Sequence, residues 1–384
     1  MAGRSWLGVA LAISLLPAVG EGHGRERFWL DARNRKVHAQ RSVLVDVARR
    51  AVPAVVAITT KQQPSIDQVA TSGDTEPQKG LGSGFIIHPD GYILTSSHVI
   101  EGTTEIKVSL LERGVEHEYV AEVVGADPET DFALLRIHAG HKLPVLQLGS
   151  VNDVRVADWV VVIGNPFGLA HSVTVGVVSY KGRTDVTPAG RTGYFDYLQT
   201  DASINPGNSG GPVLDLRGNV VAIANAVNTS GQGIAFAVPI DMAKVVLPDL
   251  KEHGGVRRGW MGVTVQDVTP EVAGTAGVSS YAGVLVSEVI EDSPAAKAGI
   301  QVGDVITAVG RSKVHRANAL RWKVATADVG ALVKITVRRK GHEVRVQLRL
   351  DEMPGVDGGE DDVLAGKTPP KQDASAAAGA GEGT

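Results

Sequence analysis

A chain of 384 residues exceeds the usual size of one hydrophobic core, so two domains and some unstructured sequence are expected. Its 43% hydrophobic and 21% charged residues are those of an ordinary soluble protein, and a formal net charge of -4 gives no electrostatic case for a nucleic-acid partner. The absence of cysteine excludes disulfides, thiol nucleophiles and thiolate metal sites.

At the start, Met1 to Arg4 is short and basic, Trp6 to Val19 is apolar, and Ala18-Val19-Gly20 offers the small residues at which a signal peptidase cuts. Residues 1–20 are read as a signal peptide for export, with a retained membrane anchor as the alternative. The apolar run is shorter than the ~20 residues of a spanning helix and is interrupted by Ser14 and Pro17. Ser42 can cap a helix carrying Leu44, Val47 and Ala48, which Pro53 helps to end. From Val43 to about Val246, short apolar runs alternate with Gly, Pro, Asp and Asn. Examples are Gly84-Phe85-Ile86-Ile87, Ile106-Lys107-Val108, Val160-Val161-Val162-Ile163 and Val220-Val221-Ala222-Ile223, and their spacing predicts an all-β barrel or sandwich. Lys61 to Lys79 is polar and predicts a mobile surface loop. Gly80-Leu81-Gly82-Ser83-Gly84 has the glycines of a dinucleotide loop, but a strand rather than a helix follows, so that reading is weak.

Three segments then carry chemistry. Leu94-Thr95-Ser96-Ser97-His98-Val99 ends an apolar strand in a histidine; one of 11 in the chain, it would alone be read as structural, but a neutral imidazole there can serve as a general base. In Thr130-Asp131-Phe132-Ala133-Leu134-Leu135 an acid opens an apolar strand; such a carboxylate can fix an imidazole tautomer, although turn aspartates often lead strands. In Gly207-Asn208-Ser209-Gly210-Gly211-Pro212 a serine is flanked by glycines that let successive amides converge on one oxyanion; the segment Gly207, Asn208, Ser209 would form that hole, with the amides of Gly207 and Ser209 as donors. The string also fits the nucleophile elbow of α/β hydrolases. That fold needs the order Ser, acid, His, whereas His98, Asp131, Ser209 is the order of the chymotrypsin class. His138 and His141 stand three apart without an HExxH or a carboxylate–histidine set, so no metal is expected.

Ile240 to Leu250 predicts a helix, with Asp241 near its start and Gly254-Gly255 beyond its end. Gly254-Gly255 and Arg257-Arg258-Gly259 mark a junction, after which strands resume at Val263 in a smaller αβ unit that runs to about Leu350. Gly355 to Thr384 holds few large apolar residues and is expected to be a disordered tail.

Gly82-Ser83-Gly84-Phe85-Ile86-Ile87, Thr95-Ser96-Ser97-His98-Val99, Thr130-Asp131-Phe132-Ala133-Leu134-Leu135, Gly164-Asn165-Pro166-Phe167-Gly168 and the run from Gln199 to Pro212 resemble the HtrA/Deg serine proteases over roughly Leu44 to Leu350. The resemblance implies a mostly β fold: a chymotrypsin-like double β-barrel over 41–252, then one small αβ PDZ domain over 256–352. It implies a homotrimer acting without cofactor on unfolded proteins in the periplasm. Two departures stand out. Ser96-Ser97 replaces the family's Asn-Ala, and Gly233-Ile234-Ala235-Phe236-Ala237 carries a methyl where the family has glycine. Ile234, Ala235 and Phe236 are then expected to line the specificity pocket, and the methyl of Ala235 to narrow it toward cleavage after small aliphatic residues such as Ala or Val. Arg183 resembles a loop arginine that senses the activating conformation, although a solvated arginine fits it nearly as well. Trp260, Met261, Gly262 and Val263 resemble the carboxylate-binding loop of such PDZ domains. Leu320 and Val324, on a helix over about Ala317 to Ala327, would share the pocket for the last residue of a bound C-terminal peptide. The single PDZ domain and the short loop after Lys61 resemble the membrane-tethered regulatory branch of the family. A peptide-binding chaperone with a silent protease domain is the rival that a full set of His98, Asp131 and Ser209 argues against.

Overall fold

The computed structural model describes residues 42–62, 78–165, 171–184, 186, 193–227, 233–276 and 282–354. The expected export segment, most of the polar loop after Lys61, Pro166-Phe167-Gly168 and the expected tail lie outside the described residues.

Helix α1 (Val43–Ala51) begins where expected: the Ser42 hydroxyl accepts the Leu44 amide at 3.4 Å, Asp46 lies in its first turn and Arg49 and Arg50 in its last, each on the favourable end of the helix dipole. Pro53 falls in the short 3-10 turn Val52–Ala54 that follows. Strands β1 (Val55–Gln62), β2 (Gln78–His88), β3 (Tyr92–Ser96), β4 (Thr103–Glu112), β5 (Val115–Val120), β6 (Glu122–Asp127) and β7 (Phe132–Arg136) form an antiparallel sheet in the order β5-β4-β1-β2-β3-β7-β6. Strands β8 (Trp159–Gly164), β9 (Ser172–Arg183), β10 (Tyr197–Thr200), β11 (Pro212–Leu214), β12 (Val220–Val227) and β13 (Ala235–Pro239) close into a six-stranded antiparallel barrel.

These strands read as continuous apolar runs because both of their faces are covered. Val56, Ile58, Ile86, Ile93 and Leu135 point into the core of the first sheet, and Val160, Val162, Val213 and Ala237 into that of the second barrel. The alternate residues Val55, Phe85, Leu94, Phe132 and Leu134 meet Val161, Ile163, Tyr197, Ile223 and Val238 in a third core along the seam between the two sheets. Burying each such side chain contributes roughly 1.5–3 kcal/mol, so the seam locks the two sheets in one register.

Helix α3 (Ile240–His253) follows β13, the one-turn helix α2 (Ser97–Ile100) having come after β3. It runs three residues past the expected end because the left-handed stop is Gly254 (φ 76°), whose amide donates to the Leu250 carbonyl at 3.2 Å. Asp241 reaches out of the helix to Ser150 Oγ (2.8 Å) and the Val151 amide (2.6 Å). Beyond the junction lie β14 (Gly259–Trp260), β15 (Val263–Asp267), α4 (Pro270–Ala276), β16 (Val284–Val289), α5 (Pro294–Lys297), β17 (Val305–Val309), β18 (Ser312–Lys313), α6 (Ala317–Ala325), β19 (Leu332–Arg339), β20 (His342–Arg349) and β21 (Asp351–Glu352). Their sheet runs β15-β16-β17-β19-β20 around a separate core of Met261, Val284, Val286, Ile306, Leu320, Ile335 and Val337. α6 stops two residues short of Ala327, which turns back to the Val324 carbonyl.

Candidate active site and peptide groove

The seam places three chemical groups side by side. His98 sits in α2, immediately after β3, and Asp131 directly precedes β7, the strand paired to β3. His98 Nδ1 lies 2.7 Å from Asp131 Oδ2, and the His98 amide donates to Asp131 Oδ1 at 2.9 Å. Asp131 is 5% exposed and has a left-handed backbone (φ 61°), held by the Ser97 amide on its carbonyl at 3.0 Å. Ser209 comes from the other barrel, in the turn between β10 and β11, and shares a cleft of about 310 Å³ with His98, Gly207, Asn205, Ile204 and Asn225. Its hydroxyl donates to the Asn225 main-chain carbonyl at 3.1 Å.

The turn around Ser209 separates the expected oxyanion residues. The Asn208 amide is turned inward to the Asn205 carbonyl (2.9 Å), and those of Gly210 and Gly211 go to Ala224 and Asn208. The amides of Gly207 and Ser209 meet no acceptor among the described residues. Gly207 has φ 95°, a conformation that L side chains rarely adopt and that lets the chain turn between the two donors. Asn208 thus acts as a spacer, not as a donor to the cleft.

Sequence reasoning passed over Asn225. Buried on β12, it donates from Nδ2 to Asp131 Oδ2 while its carbonyl accepts the Ser209 hydroxyl, so it touches two of the three groups. An isolated amide in an apolar strand carries no local motif that could reveal this. Of the residues expected at the specificity pocket, Ala235 and Phe236 are buried and Ile234 is partly buried against the seam core. Ala235 packs in the core of the second barrel and Phe236 in the seam, 5.7 Å from the Tyr197 ring, while the apolar side chains lining the cleft are Leu81, Val99, Ile204 and Pro206. Arg183 at the end of β9 stacks over the Tyr180 ring (4.6 Å) and donates from Nε to Gln199 Oε1 at 3.1 Å. His138 and His141 each lie beside one carboxylate, Glu122 and Glu112 respectively.

A second cavity, of about 290 Å³, is bounded by Trp260, Met261, Gly262 and Val263 with Leu320 and Val324. The Met261 and Gly262 amides meet no acceptor among the described residues, and Gly262 (φ 76°) has room for no side chain, since a Cβ there would fall 2.2 Å from Ser293 Cβ. The far wall comes from the half that carries Ser209: Glu129, Gly193, Tyr194 and Phe195. Between the two halves Arg258 is 7% exposed. Its Nη2 lies 2.8 and 2.7 Å from the two Asp127 oxygens, its Nε 2.9 Å from Glu129 Oε2, and its guanidinium 5.1 Å from the Tyr194 ring, which also meets Trp322 at 5.7 Å. Burial raises the Glu129 carboxyl above the usual carboxylate range against the pull of Arg258, and burial likewise pushes the Tyr194 hydroxyl up to about 12.

Two antiparallel β-sheets joined at a histidine–aspartate–serine seam, with a small peptide-groove module behind them, define the chymotrypsin-like class of proteins with an appended PDZ unit. Residues 82–223 match the trypsin-like peptidase domain family and residues 259–350 the PDZ domain family. The chain is 41% identical over 311 residues to a probable periplasmic serine endoprotease DegP-like of Hahella chejuensis, covering 80% of this chain and 64% of the relative. It is 44% identical over 289 residues to one of Pseudomonas putida, covering 74% and 59%. It therefore spans about three-fifths of the length of those relatives. Among solved structures, the HtrA-type protease AlgW with tripeptide is 38% identical at a TM-score of 0.70, with 83% of this chain and 99% of that one covered. The serine endoprotease from Yersinia pestis is 33% identical at 0.59, with 81% and 98% covered. This chain belongs to the HtrA-type protease family.

Proposed function

We propose that the chain is a serine endopeptidase that cleaves unfolded or misfolded proteins of the periplasm after small aliphatic residues, through an acyl-enzyme. In this reading the protease domain spans 41–252 and the PDZ domain 256–352. The observation that carries it is the meeting of a carboxylate-anchored imidazole, a serine hydroxyl and two free amides around one cleft. Ser209 Oγ attacks the scissile carbonyl carbon as His98 Nε2 takes its proton, Asp131 stabilises the imidazolium, and the Gly207 and Ser209 amides receive the oxyanion. His98 then returns the proton to the leaving amine as the C–N bond breaks. Water, deprotonated in turn by His98, cleaves the ester and restores the hydroxyl. Ile204 at the cleft wall and the filled core behind it at Ala235 support a shallow pocket for Ala or Val.

C-terminal peptides held by Met261 and Gly262 are the regulatory ligands, and Arg183 the sensor on the protease side; Arg183→Ala is expected to lower turnover more than stability. Periplasmic location is supported by the names of the relatives, with cleavage or retention of residues 1–20 decided by N-terminal sequencing of the mature protein. Trp159, Val173 and Val175 expose an apolar face on β8 and β9 that a homotrimer would help to cover, and sedimentation tests this.

A casein digest with and without C-terminal peptides tests the hydrolytic reading. Wild type is expected to cut after Ala and Val, and Ser209→Ala to lose turnover on the order of a millionfold. Equal digestion by both proteins would overturn the assignment, and abundant cleavage after aromatic residues would overturn the pocket.

A further inference from the structure

The catalytic groups come from different sheets, so something must hold the nucleophile turn of one against the histidine strand of the other. Ser83, in the middle of β2 and fully buried, has every polar group engaged at that junction. Its amide donates to the Ser209 carbonyl at 2.8 Å. Its hydroxyl donates to the Gly207 carbonyl at 2.6 Å and accepts the Asn165 amide, at the end of β8, at 2.8 Å. Its carbonyl accepts the Thr95 hydroxyl at 2.7 Å, three residues before His98. The surrounding glycines make this approach possible: a Cβ on Gly210 would fall 2.2 Å from the Ser83 carbonyl oxygen and 2.3 Å from Thr95 Oγ1, and one on Gly82 would fall 2.4 Å from Val99 Cγ1.

From these contacts we infer that Ser83 is a positioning residue for the oxyanion hole and the nucleophile, setting the Gly207–Ser209 turn against His98 across the seam. The inference rests on the hydrolytic reading above. The Gly207 carbonyl belongs to the peptide unit that joins Gly207 to Asn208, between the two free amides, so pinning its oxygen fixes how the turn presents both donors. Glycine at 207 has no side chain to resist rotation of that unit. The hydroxyl of Ser83 supplies the resistance from outside, and the Ser83 amide and carbonyl carry the same register on to Ser209 and the strand of His98. This gives Ser83 and Gly210 a joint physical role: a glycine for the close approach and a hydroxyl for the tie.

The test compares Ser83→Ala with wild type, with and without C-terminal peptides, in three measurements. Turnover of a small peptide ester is expected to fall about 10- to 100-fold, below the loss from deleting a hole donor outright. Inhibition by a peptide boronate, whose adduct needs the hole, should weaken in parallel, while KM and the acid limb of the pH–rate profile stay put because His98 and Asp131 are untouched. Amide hydrogen exchange at Asn208 to Gly211 should quicken. A merely structural role would leave boronate affinity unchanged in the folded variant. Thr95→Val, which removes only the outer bond of the series, should show the same pattern more weakly and serves if Ser83→Ala does not fold. Wild-type turnover and boronate affinity in either folded variant would overturn the inference. If wild type itself hydrolyses nothing, the hydrolytic reading fails and the inference with it, whereas an active wild type matched by its folded variants overturns the inference alone.

Discussion

At Asp131 several costs converge on one residue. A left-handed conformation in a residue other than glycine costs about 1–3 kcal/mol, and a buried carboxylate adds to it. The His98 ring, the His98 amide and the Asn225 side chain offset that cost with hydrogen bonds to its two oxygens. Asn225 is the link that a substitution can remove without touching the other groups. Asn225→Leu keeps the branched shape but loses the donor, and is expected to lower turnover about 10-fold or more, in keeping with the weight of a hydrogen bond to a charged group. Asn225→Ser, which keeps a donor, should recover part of the rate; a rank order that follows side-chain volume would contradict this. His98, Asp131 and Ser209 could be picked out in the sequence because each stands in a short motif and the three follow one order. Asn225 and Ser83 could not, because their meaning depends on contacts across the seam, 94 and 124 residues away.

Among the elements, the strands were readable because burial on both faces writes itself as Val/Ile/Leu runs, and the helix cap at Ser42 because its chemistry is local. The end of α3 was harder to read. Pro248 lies inside the helix without ending it, and the left-handed turn at Gly254 sets the stop. That end docks on β6, where Gly125 faces the Leu250 and Gly254 carbonyls and the Ala126 amide donates to Gly254 at 3.1 Å. Two substitutions separate the effects. Gly254→Ala has space but the wrong backbone conformation and should cost about 1–2 kcal/mol. Gly125→Ala would put a Cβ 2.4 Å from a main-chain oxygen, so the helix must shift, and urea unfolding should show a larger loss than at Gly254. Equal midpoints for the two variants would contradict that account of the docking.

For the molecule as a whole, the cavity beside Gly262 and the cleft of Ser209 are joined through the segment Asp127 to Asp131. Arg258 grips its first residue, Thr130 Oγ1 donates to the same Asp127 carboxylate, and Asp131 holds His98 at the other end. The sequence marked Arg257-Arg258-Gly259 as a junction; that one of the two arginines is buried against acids from the other half could be known only from the packing. Removing Arg258 leaves the buried Asp127 carboxylate, and the half-buried Glu129 beside it, without that counter-charge, so Arg258→Met should cost about 3–5 kcal/mol in urea unfolding. Combining it with Asp127→Asn should cost less than the sum of the two changes, since they belong to one network. Strict additivity would show that the pair does not act as a unit.

The central claim, that Ser209 is a nucleophile armed by His98, is tested most directly by intact-mass analysis after treatment with a fluorophosphonate probe in the presence of C-terminal peptides. A single adduct on wild type, none on Ser209→Ala and strongly slowed labelling of His98→Ala are predicted. No adduct on wild type under those conditions, or the same adduct on Ser209→Ala, would contradict the account.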